Sequence, residues 1–66
     1  MAEWRDVTTD VIRAGDRVRA TVNYGYAVQT YEGEVREVGM NAEDPIVFTD
    51  MFFCTDGHNV KWEVYL

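Results

Sequence analysis

From Arg17 to Val22 polar and apolar residues alternate strictly, with Val18, Ala20 and Val22 on one face and Arg17, Arg19 and Thr21 on the other. A period of two over six residues predicts a half-buried β-strand. Ala14-Gly15-Asp16 before it is a turn signal. Asn23-Tyr24-Gly25-Tyr26 after it breaks the pattern with a turn former and a glycine. A second strand is predicted over 28–38, bent at Gly33. Val35 and Val38 are three apart, so a bulge near Arg36-Glu37 is needed to reconcile them with one core. The stretch 39–45 reads as a polar loop, and the β-branched, aromatic run Ile46-Val47-Phe48-Thr49 as a third strand.

The last section predicts a hairpin. Residues 52–55 and 60–65 flank Asp56-Gly57-His58-Asn59, and Asp-Gly is a strong turn signal. That register places Met51, Phe53, Val60, Trp62 and Val64 on a core face. Phe52, Cys54, Lys61, Glu63 and Tyr65 fall on the outer face. The expected core is Val18, Ala20, Val22, Val35, Phe53, Trp62 and Val64. Before Gly15, residues 1–14 form an irregular N-terminal segment, with room for a single helical turn capped by Asp6 or Thr9 before Val11 and Ile12.

The whole is predicted to be one all-β domain over residues 1–66, about five short strands in a small barrel over 15–66 with the segment 1–14 packed against it. Two stretches carry a resemblance. Ile12-Arg13-Ala14-Gly15-Asp16-Arg17-Val18, then Gly33-Glu34-Val35 running to Val38, then a terminal hairpin, resembles an SH3-like small barrel. Trp4-Arg5-Asp6-Val7 is similar to the opening of short SH3-like proteins encoded by bacteriophages, particularly those of actinobacteria. That resemblance implies expression in a host cytoplasm and no agreed activity. Neither the aromatic cage of Tudor domains nor the proline-peptide groove of signalling SH3 domains has a matching motif to carry over.

Composition narrows the chemistry. The chain has 66 residues, 47% hydrophobic and 14% aromatic, which supplies a core and argues against disorder. Cys54 is the only cysteine and His58 the only histidine. An internal disulfide is therefore excluded, and a closed zinc site is short of ligands. No metal and no cofactor are expected. Cys54 and His58 flank a turn with no third group to orient the imidazole, so a nucleophilic pair is not expected either, and the chain is read as not an enzyme. No apolar run approaches a membrane span, and the charged N-terminus lacks the apolar segment of a signal peptide. With the lone thiol, this gives a cytoplasmic expectation.

Charge is uneven. Residues 1–31 hold four acids and four bases, whereas 32–66 hold eight acids and two bases, which accounts for the net −6. Such a surface repels phosphate backbones, so nucleic acid is disfavoured as a partner. The acidic residues Glu32, Glu34, Glu37, Glu43 and Asp44 suggest either a solvated face or a DNA-mimic surface. Tyrosine is enriched at interfaces, which draws attention to the first hairpin loop. The expected protein-contact surface is Tyr24, Gly25 and Tyr26 with Phe52 and Tyr65 from the outer face of the last hairpin. The expected function is a small protein-binding module, a phage accessory protein docking on or inhibiting a host or virion protein. The alternatives are an acidic DNA-mimic inhibitor and a structural subunit that self-associates as a homo-oligomer.

Overall fold

The computed structural model describes residues 2–41 and 44–66. The strands are β1 (Trp4–Val7), β2 (Arg17–Asn23), β3 (Val28–Asn41), β4 (Asp44–Thr49), β5 (Phe53–Thr55) and β6 (Val60–Tyr65). A 3-10 turn spans Thr9–Val11. The strands form one antiparallel sheet in the order β1-β6-β2-β3-β4-β5. The protein is all-β, as the patterning predicts, but the sheet is open, with β1 and β5 as its edges.

The alternation in β2 does what a period of two requires: Val18, Ala20 and Val22 are buried and the residues between them are not. Trp62 and Val64 of β6 pack on the same side, beside Ala20 and Val18 in register. Val35, Val47 and Ile12 complete the core.

One long strand joins the two halves of the sheet. Residues 28–34 of β3 pair with β2, and residues from Val35 onward pair with β4. The register slips between Val35 and Glu37, which is the bulge that Val35 and Val38 demand. Where β3 passes from β2 to β4, Gly33 is required by space. A Cβ there would lie 2.7 Å from Thr49 Oγ1 and 2.8 Å from Asp50 Oδ1. The turn at Gly15 (φ +96°) docks on the same place: the Gly15 amide donates to the Val35 carbonyl at 2.9 Å, and the Val35 amide to the Asp16 carbonyl at 2.8 Å.

Four expectations are corrected. The N-terminal segment is more regular than anticipated: β1 pairs with β6, Trp4 opposite Tyr65 and Val7 opposite Trp62. Its helical turn has Thr8, not Asp6 or Thr9, at the N-cap position, and makes no side-chain cap bond. The stretch 39–45 is mostly strand, since β3 and β4 stay paired from Gly39–Ile46 to Asn41–Asp44. The terminal hairpin does not form. Strand β5 turns back on β4 through Thr49–Phe52, pairing Phe48 with Phe53, while β6 crosses to lie between β1 and β2. Phe53 is therefore not core but 73% exposed, and Met51 is exposed with it. Phe52 instead packs on the core.

The turn that redirects β5 is held by Thr49. Its hydroxyl donates to the Phe52 carbonyl at 2.8 Å and accepts from the amides of Met51 (3.1 Å) and Phe52 (2.9 Å). Such side-chain bonds to backbone are how Ser and Thr stabilise turns. Among the described residues no helix is long and apolar enough to cross a membrane.

Candidate functional site

A groove of about 570 Å³ opens between the Tyr24 loop and β5. Its walls are Tyr24 and Tyr31 on one side and Phe52 and Cys54 on the other, with Val60 and Asn59 at one end. Each wall has a local cause. Tyr31 sits opposite Ala20 in the β2–β3 register, so it shares the core-facing side of the sheet but lies beyond the core itself. Its ring meets Phe52 at 5.6 Å between centroids, and its hydroxyl lies 3.2 Å from that of Tyr24. Tyr24 stacks on Tyr26 at 6.2 Å. Four aromatic rings thus run from the loop tip into the groove.

The Tyr24 loop is braced at its base. The Asn23 side chain accepts the Gly25 amide at 2.8 Å, and Gly25 takes φ +91°, which an L side chain rarely adopts. The Tyr24 amide donates to the Ala27 carbonyl. Asn59 accepts the Asn23 amide at 2.9 Å on its carbonyl and returns a side-chain bond to the Asn23 carbonyl at 3.3 Å. The loop is fixed to the segment before β6, while Tyr26 at its tip is 90% exposed. A second, shallower depression on the outer side of Tyr24 is lined by Thr21, Val28, His58 and Lys61.

Of the predicted contact residues, Tyr24, Gly25, Tyr26 and Phe52 are brought together around this groove and its rim. Tyr65 is not. With β5 and β6 unpaired, Phe52 and Tyr65 lie on opposite faces. Tyr65 stacks on Trp4 at 5.2 Å, and the Arg19 guanidinium lies 4.3 Å over the Trp4 ring. Arg19 donates to both oxygens of Glu63, at 2.9 and 3.1 Å. This bidentate bond holds the Glu63 carboxyl below the usual carboxylate range and raises Arg19. The cluster satisfies itself and clamps β1 and β2 across β6. The residues missed by sequence reasoning are Cys54, Val60 and Asn59. Tyr31 is the ring that connects the loop to Phe52.

The shared hydroxyl contact with Tyr31, followed by burial, raises the Tyr24 phenol above its ordinary value. Burial, then the nearby Asp56 carboxylate, pushes the Cys54 thiol up. Its Sγ faces the Thr55 carbonyl at 3.4 Å, whereas His58 lines the other depression. A thiol with a raised pKa carries little thiolate at neutral pH. No group of three or more His, Cys, Asp or Glu able to hold a metal occurs among the described residues.

The acidic residues divide. Glu32 pairs with Arg17 at 2.7 Å and Glu34 with Arg36 at 3.0 Å. Glu37 and Asp44 have no ion-pair partner among the described residues, and Glu43 lies outside them. From Glu37 to Val60 the sequence holds five acids and no lysine or arginine. Comparison with family models, curated proteins and solved structures gives no match.

Proposed function

We propose that this chain is a non-enzymatic protein-binding module whose contact surface is the groove between the Tyr24 loop and β5. The observation that carries the reading is the run of rings from Tyr26 through Tyr24 and Tyr31 to Phe52, beside exposed Met51 and Phe53. Phe52 anchors the run on the core, but Tyr24, Tyr26, Met51 and Phe53 are exposed, and a small domain gains little stability from such surface left in water. Exposed apolar patches of this kind mark contact sites, and rigid tyrosines cost little entropy when a partner covers them. The loop bracing through Asn23 and Asn59 means that the surface is largely formed before any partner arrives.

The fold is read as an SH3-like barrel whose sheet is left open. The support is the strand order, with the last strand β6 returning beside β2, and the way β3 passes from β2 to β4 next to the tightly packed Gly33. The Trp4-Arg5-Asp6-Val7 opening supports a phage-encoded protein, and the lone thiol of Cys54 a cytoplasmic setting. The DNA-mimic alternative loses ground, because Arg17 and Arg36 neutralise two of the five carboxylates it relies on.

Affinity capture from extracts of the source cell tests the reading. One protein should be retained by the native chain and lost with Tyr24→Ser and with Tyr31→Ser, each checked for folding by circular dichroism. Tyr65→Ser, on the opposite face, should retain it. Equal retention by all four proteins would overturn the assignment of this surface.

A further inference from the structure

The groove has one wall that is a sheet edge. Strand β5 pairs with β4 alone. The flanking bonds fix which of its backbone groups are spare: the Thr49 amide donates to the Phe52 carbonyl, and the Asp56 amide to the Pro45 carbonyl. In an antiparallel ladder these two bonds make Phe48–Phe53 and Ile46–Thr55 the non-hydrogen-bonded pairs. The N–H and C=O groups of Phe53 and Thr55 therefore point away from β4. Among the described residues they meet no backbone partner. The Thr55 carbonyl faces the Cys54 thiol.

The two faces beside this edge differ. On the inner face, next to Cys54, lies the aromatic groove. On the outer face, Phe53 stacks on Phe48 at 6.0 Å, and Glu37 stands opposite Phe48 in the next strand. The segment that builds this end of the sheet, from Glu37 to Val60, carries only acids. A second copy of the chain would bring the same charge and be repelled.

We infer that β5 is an acceptor for an added strand, an extended segment of a partner protein in which apolar residues alternate with lysine or arginine. The inference rests on the reading of the groove as a protein-contact surface and specifies what enters it. Backbone bonds to Phe53 and Thr55 give the segment its direction. Its inward side chains enter the groove between Phe52, Tyr31 and Tyr24. Its outward side chains lie along Phe53 and Phe48, where a cation finds both exposed ring faces and the unpaired acids. The alternation follows from the period of two in any strand. Three residues make a short edge, so the complex is weak and its affinity falls with salt.

The probe is a displayed library of random linear peptides, selected on the folded chain, with the best binder then synthesised. Selected peptides should alternate apolar and basic residues. Binding of the synthetic peptide should slow hydrogen exchange at the Phe53 and Thr55 amides by about tenfold or more, as expected for amides newly bonded. Thr55→Pro removes one outward N–H without touching the β4 ladder, and should weaken binding by at least about tenfold, a loss of the order expected for a backbone bond in a small interface. If the proline variant does not fold, exchange in the native chain decides. Chemical shifts that move at Tyr24, Tyr31 and Phe52 while Phe53 and Thr55 exchange unchanged would overturn strand addition and leave the groove reading standing. Selected peptides without basic residues would overturn the partner assigned here. No enrichment at all, or self-association through β5 by sedimentation, would overturn strand addition by a separate partner, and native-chain capture that ignores Tyr24→Ser would overturn the groove as well.

Discussion

The indole N–H of Trp62 donates to the Asp56 carboxylate at 3.1 Å, and the other oxygen of that carboxylate accepts the buried Thr9 hydroxyl at 3.0 Å. A single acid thus ties the core tryptophan, the segment after β5 and the 3-10 turn together. Asp56→Ala leaves both donors without their partner. We expect a loss of about 1–3 kcal/mol, the cost of orphaning partly buried polar groups. Trp62→Phe should lose less, and Trp62→Ala about 3–5 kcal/mol, since it also opens a cavity. Urea denaturation of the three variants measures the order. Asp56→Ala as stable as the native chain would show that the carboxylate is only a surface charge.

Gly33→Ala should destabilise by about 1–3 kcal/mol, as overpacking does in a tight site. The new methyl meets Thr49 Oγ1, and that hydroxyl is already bonded three times within the β4–β5 turn. It cannot move without releasing Phe52. The double variant Gly33→Ala, Thr49→Ser keeps the hydroxyl and should recover little. Thermal unfolding that leaves Gly33→Ala within a degree of the native protein would contradict the close approach.

Acid should loosen the clamp on the outer face. The Glu63 carboxyl is held low by Arg19, so its contribution is fully present above the unfolded value of about 4.3 and disappears as pH falls through the lower folded value. Glu63→Gln should be less stable than the native chain at pH 7. The two should converge in strongly acidic solution. Stability curves that stay parallel from neutral pH to strong acid would deny the linkage.

Cys54 should alkylate several-fold more slowly than a free thiol at neutral pH, because burial raises its pKa and shields it. Iodoacetamide labelling followed by mass spectrometry reads the rate. The selected peptide should slow it further, since Cys54 forms a wall of the groove.

Much of the fold is legible in the pattern of residues, and the failures share a cause. Strand β2 and the bulge between Val35 and Glu37 follow from spacing alone. So do the burial of Trp62 and Val64. The pairing of β5 does not, because Asp56-Gly57 looks like a hairpin turn while Thr49 makes an equally tight one just upstream. Adjacent Phe52 and Phe53 fit either parity of a strand, so only the choice of partner decides which one is buried. Once β5 joins β4, Phe52 points inward and Phe53 outward, and Tyr65 is separated from the loop tyrosines. The groove is half visible for the same reason: Tyr24, Gly25 and Tyr26 announce themselves as a loop, whereas Cys54 enters through the pairing of β5 with β4, and Asn59 and Val60 through the crossing that β6 makes. In sequence Asp56 reads only as part of a turn, because nothing in the pattern shows that Trp62 and Thr9 both reach it.

The place of β6 between β1 and β2 has a consequence for how the chain is made. Strand β1 leaves the ribosome early and finds no edge to join, since its neighbour is the last of the six strands to be synthesised. Strand β2 can zip to β3, and β3 to β4, while the chain is still growing. Through all of that Trp4 and Val7 wait in water, and the hydrophobic side of β2 is covered only in part. Contacts across so much sequence slow the closing step. Until Val60–Tyr65 arrives, the nascent chain exposes a second open edge on β2, and a chaperone or a neighbouring chain has its best opportunity to seize it.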